Sequence, residues 1–114
     1  MKGNKDLLDD SETKINECIG LLKEISNSCC MPERSTNMNE AFTKLDSILG
    51  ELKSARNNID NVHKSIYHIG DLGRSVGFLF ATCCTASREP LYQKMYKIMN
   101  EVHSKLYLYL GHSH

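Results

Sequence analysis

Apolar side chains recur along this chain in steps of three and four, the spacing that places them on one face of an α-helix. The first run is Ile15, Cys18, Ile19, Leu22 and Ile25, preceded by Asp6, Asp9, Asp10 and Glu12. Carboxylates at a helix start complement the positive end of its macrodipole, so the pattern predicts a helix of about five turns. It is expected to end near Asn27, because Cys29-Cys30-Met31-Pro32 and the polar residues after it read as a connection. Asn37 is placed to cap a second helix, with Glu40 reaching back in a variant of the capping box.

The second run is the strongest: Phe42, Leu45, Leu49, Leu52, Ala55, Ile59, Val62, Ile66 and Ile69. Unbroken, it would be about 50 Å long at 1.5 Å per residue, more than a small bundle needs. A kink or break is therefore expected at Asn57-Asn58, both poor helix formers, with Gly50 a weaker candidate. Gly70, Gly73 and Gly77 predict a turn and the loosely formed start of a third helix. That helix continues through Phe78-Leu79-Phe80-Ala81-Thr82-Cys83-Cys84-Thr85-Ala86 and, being apolar on all sides, is expected to be buried. Pro90 suits the first turn of a last helix, whose stripe is Leu91, Met95, Ile98, Met99, Val102, Leu106 and Leu110, with Gly111 as its stop. The fold class is all-α, an antiparallel four-helix bundle with one long second helix. Residues 1–10 are expected to be a flexible leading segment, 11–111 the single bundle, and 112–114 a tail.

Composition agrees with that class. A length of 114 residues gives room for one domain, tryptophan is absent, there are two prolines, and aromatics make up 7%, a poor match to a strand-rich sandwich or barrel. The 14 basic and 14 acidic side chains cancel, so no global field favours nucleic acid. The balance is uneven along the chain, however. Residues 1–60 hold 8 Lys/Arg against 11 Asp/Glu, and residues 61–114 hold 6 against 3, with all five histidines in the second half.

The candidate chemistry is sparse. Cys18, Cys29, Cys30, Cys83 and Cys84 are an odd number without the spacing of a disulfide framework, and adjacent thiols on a helix point about 100° apart, so they do not converge on zinc. With no secretory signal at the amino terminus, the expectation is a cytoplasmic protein with reduced thiols. No phosphate loop, dinucleotide fingerprint or nucleophile turn is present, so no catalytic residue, metal ligand or cofactor is assigned. The apolar run from Val76 to Ala86 has 11 residues, where a spanning helix needs about 20. On the last helix Arg88, Lys94, Lys97 and Lys105 alternate with Tyr92, Tyr96, Tyr107 and Tyr109, the candidate interaction surface.

Three segments taken together carry a resemblance. Ile-Asn-Glu-Cys-Ile-Gly-Leu-Leu, Met-Asn-Glu-Ala-Phe-Thr-Lys-Leu-Asp-Ser-Ile-Leu-Gly-Glu-Leu, and Phe-Leu-Phe-Ala-Thr-Cys-Cys-Thr-Ala-Ser leading into Leu-Tyr-Gln-Lys-Met-Tyr resemble the four-helix bundles of the mixed-lineage kinase domain-like and HeLo-type family. The likeness runs over residues 15–110 in the order of elements. It implies a bundle that self-assembles and acts on membranes in regulated cell death, under an attached kinase or pseudokinase domain. The first helix lacks the family's strongly basic amino-terminal portion, and no functional residue carries over. Three functions follow in order of preference: an interaction module that binds a protein partner or itself, a membrane-associated effector that meets anionic lipid, and a zinc-binding helical protein.

Overall fold

The computed structural model describes residues 4–28, 35–55, 58–82 and 89–112. These form α1 (Asn4–Ser28), α2 (Ser35–Ser54), α3 (Asp60–Thr82) and α4 (Glu89–His112), an all-α four-helix bundle. In each helix a stripe of buried positions steps by three and four, with Ser75 and Ile98 buried beside it: Leu8, Ser11, Ile15, Cys18, Leu22 and Ile25 in α1, and Met38, Ala41, Leu45, Ile48, Leu52 and Ala55 along α2 and its end. Val62, Ser65, Ile69, Leu72, Val76 and Leu79 do the same in α3, and Tyr92, Met95, Met99, Val102, Leu106 and Tyr109 in α4. An average step of three and a half is the seam of left-handed, near-parallel helix packing, which keeps one stripe facing the core over the whole length.

Polar contacts between helices set the register. Lys14 Nζ meets Glu101 at 3.2 Å and Lys105 Nζ meets Asp10 at 3.1 Å, so ascending α1 means descending α4. On the other side Lys44 Nζ meets Asp71 at 3.1 Å and His68 Nδ1 meets Glu51 at 2.9 Å, which makes α2 and α3 antiparallel in the same way. At this register the core positions stand at common levels across the bundle. Tyr109 shares a level with Leu8, Val62 and the small Ala55; Tyr92 closes the opposite end with Ile25, Met38 and Leu79. Large against small at one level is how such a core fills its volume without strain. Ser11 and Ser65 share a level with Leu52 and Leu106, and both hydroxyls are satisfied: Ser11 donates to the Leu7 carbonyl at 2.8 Å and Ser65 to Glu51 Oε1 at 3.3 Å.

Several boundaries differ from the sequence reading. Helix α1 begins at Asn4 and buries Leu8 completely, so most of the leading segment 1–10 belongs to the bundle. Helix α2 begins at Ser35, which puts Asn37 inside its first turn rather than before it. The long second helix is two helices. The break falls where Asn57-Asn58 was expected to weaken it: Asn58 accepts from the Asp60 amide at 3.0 Å through its side-chain oxygen and so caps α3. Ile59, which carried the apolar spacing across the break, is 41% exposed in the turn. The core stripe of α2 uses Met38, Ala41 and Ile48, with Phe42 and Leu49 packed beside it.

The expected turn at Gly70–Gly77 is instead the middle of α3, and no glycine there has a positive φ. Each internal glycine costs roughly 1 kcal/mol against alanine, whereas burying Leu72 and Val76 in the same turns returns about 2 kcal/mol each. Packing wins, and the helix runs through. Phe78 and Phe80 are 59% and 39% exposed, with only Leu79 between them in the core, so this stretch is not buried on all sides. Helix α4 likewise continues past Gly111 to His112.

Candidate interaction surface

The candidate residues of the last helix do not share one face. Tyr92 and Tyr109 are core side chains, because they occupy the three-and-four stripe of α4. Lys105 is tied to Asp10 of α1. Lys94 and Lys97 border a groove between α1 and α4 together with Lys14, Glu17, Glu24 and Glu101. The Lys14 ammonium is held above its ordinary pKa, chiefly by its hydrogen bond to Glu101. Tyr96 is partly buried against α3, which raises its phenol pKa, and Tyr107 is exposed with its ring 4.8 Å from that of His103. Arg88 lies outside the described residues.

Helix α3 supplies what the sequence reading missed. Among the described residues every exposed large apolar side chain lies on or directly before α3 or on α4: Ile59, Tyr67, Phe78, Phe80, Tyr107 and Leu108. The heptad sorts them. Phe78 stands one heptad beyond Asp71 and borders the α2 side, and Leu108 one heptad beyond Glu101 and borders the α1 side. Tyr67, Phe80 and Tyr107 fall on the outer face that α3 and α4 share, where Phe80 packs 5.1 Å from Tyr92. Gly70 and Gly73 lie on that face, and a Cβ at either would meet nothing within 4 Å; at Gly77 it would lie 3.4 Å from the Tyr96 hydroxyl. The α3 side of the α3–α4 seam therefore carries small residues between aromatic side chains. The signal in the sequence was the mixture of glycine and aromatic residues in 67–80, which reads equally as a turn followed by a core helix.

The carboxylates of α3 and α4 are Asp60, Asp71, Glu89 and Glu101. Asp60 and Glu89 open their helices at opposite ends of the bundle, and Asp71 and Glu101 turn aside to Lys44 and Lys14. Exposed Arg74 and His63 lie on α3, and exposed Lys97 lies one helical turn from Glu101, with which it lines the α1–α4 groove.

Other chemistry is weak. Glu51 receives both the Ser65 hydroxyl and His68 Nδ1, so the carboxylate sits between serine and histidine, the wrong order for a base to activate a nucleophile. Burial pushes the Cys18 thiol up to about 12, which leaves it protonated and unreactive near neutral pH. The other four cysteines lie outside the described residues, and among the described ones no three His, Cys, Asp or Glu side chains group as metal ligands. No described helix is long and apolar enough to cross a membrane. No protein family, curated protein or solved structure matches the chain.

Proposed function

We propose that this chain is a non-enzymatic helical interaction module, an adaptor or subunit that binds protein through the outer face of α3 and α4. The observation that carries this is the confinement, among the described residues, of the exposed large apolar side chains to that half of the bundle, while the described outer surfaces of α1 and α2 are polar. Solvated faces lose little by being polar, and apolar residues gathered on one side mark a surface that is covered in use. We set the module in the cytoplasm on the cysteine pattern. The test is a Tyr67→Ser/Phe80→Ser/Tyr107→Ser variant, checked for helix content by circular dichroism and compared with the unaltered chain in affinity purification from its own cells. The variant loses the partners that the unaltered chain retains; an identical set of partners from a folded variant would sink the proposal.

A second reading draws support from the same face. Tyrosines beside lysine and arginine, with carboxylates turned away, suit the interface of an anionic bilayer, as the HeLo-type resemblance implies. Flotation with phosphatidylserine vesicles at low and physiological salt decides it, and protein left unbound at both salts removes the membrane from consideration.

A further inference from the structure

We infer that residues 70–82 of α3 form a strap that opens from the bundle ahead of global unfolding, hinged at Gly70 and Gly73 and latched to α2 by Lys44. Three of the chain's seven glycines fall within these residues, whereas α1, α2 and α4 hold one each. The closed helix requires none of them. No glycine has a positive φ, a Cβ at Gly70 or Gly73 would meet nothing within 4 Å, and one at Gly77 would meet only the Tyr96 hydroxyl, at 3.4 Å. Glycine in a helix favours the open chain over the closed one about 5-fold relative to alanine, because it gains the most backbone freedom when released. Two glycines more than any other helix therefore weaken this half of α3 about 25-fold.

The two halves of α3 are held differently. Its first half is capped by Asn58, begins with Asp60 at the positive end of the helix dipole, and is tied to Glu51 through both Ser65 and His68. The strap has no basic side chain in its last turn to answer the negative end. The polar ties described between the strap and α2 converge on one amine: Lys44 Nζ meets Asp71 at 3.1 Å and donates to the Ser75 hydroxyl. Both are lost together when that amine lets go. Leu72, Val76 and Leu79 lie in the core and keep the open form a minor population. Opening frees them together with Phe78 and Phe80, and lifts the Phe80 ring from its contact 5.1 Å from that of Tyr92. The strap operates whichever partner the outer face of α3 and α4 takes.

Hydrogen exchange of the full chain, followed amide by amide by NMR, tests this. Protection at Leu72, Val76 and Leu79 is expected at least ~10-fold below that at the core positions Cys18 of α1 and Leu45 of α2. Leu8→Val, at the opposite end of the bundle, lowers protection at Cys18 and Leu45 and leaves the strap unchanged, because the strap opens without the remainder. Gly73→Ala raises strap protection about 5-fold, and Lys44→Met lowers it. Strap amides as well protected as Cys18 and Leu45, or lowered in step with them by Leu8→Val, would mean one cooperative unit and overturn the inference. No rise for Gly73→Ala overturns the hinge, no fall for Lys44→Met overturns the latch, and either result defeats the strap.

Discussion

Gly73→Ala separates the helix seen at residues 70–77 from the turn that three glycines suggest. In the structure Gly73 is in the middle of α3, has no positive φ, and would give an added Cβ open space. Alanine there gains about 1 kcal/mol of helix propensity, partly by restricting the unfolded chain, with no packing penalty to set against it. For a domain of this size, 1 kcal/mol corresponds to a rise in Tm of roughly 4 °C. Thermal unfolding followed by circular dichroism at the helical band reads this directly. Gly77→Ala serves as the internal comparison: its Cβ would lie 3.4 Å from the Tyr96 hydroxyl, so part of the same gain goes into moving the end of that side chain, and a smaller rise is expected. A turn at these positions would behave in the opposite way, since alanine resists the left-handed backbone that turn glycines adopt. A fall in Tm for Gly73→Ala would refute the continuous helix.

Two further perturbations address the interior. Glu51→Ala removes the acceptor of the buried Ser65 hydroxyl and of His68, and a cost of about 1–3 kcal/mol is expected in urea unfolding; a Glu51→Ala/Ser65→Ala double variant recovers part of it, and strict additivity would contradict the pairing. Cys18 ties stability to alkaline pH. Its folded pKa, raised from 9.0 to about 12, means the unfolded chain releases the thiol proton first, so stability is intact below pH 9, falls as pH climbs towards 12 and levels off above it. Melts across that range should slope less steeply for Cys18→Ala, after allowance for the shared contributions of Tyr96 and Lys14, whose raised pKa values lose stability in the same direction. Equal slopes would mean that the thiol is not buried.

The all-α bundle, its antiparallel order and the break beside Asn58 were legible in the sequence through apolar spacing, helix propensity and side-chain capping, while the start of the third helix was misplaced from that break to Gly70–Gly77. The identity of the core face was less so. Phe42, Leu49 and Ile66 lie next to the true stripe, and a reading that steps by three or four from one large apolar residue to the next passes over the small Ala41 and the polar Ser11 and Ser65, whose burial depends on neighbours from other helices. The same limit hid the surface. Phe78-Leu79-Phe80 is apolar throughout, and only the heptad of the assembled bundle turns Leu79 inward and leaves the phenylalanines outside. Tyr92 and Tyr109 show the converse, because an amphipathic side chain on a basic helix looks like surface until the ends of a bundle need filling.

The pairs Lys14–Glu101, Asp10–Lys105, Lys44–Asp71 and Glu51–His68 each join the acidic half of the chain to the basic half. A half-exposed ion pair contributes little to stability, typically ~0.2–1 kcal/mol, but two pairs across each seam fix the register of α1 against α4 and of α2 against α3. The pairing takes Asp71 and Glu101 to the seams, while the exposed large apolar side chains among the described residues lie on or directly before α3 or on α4, so it is the outer surface of that half that gains from being covered.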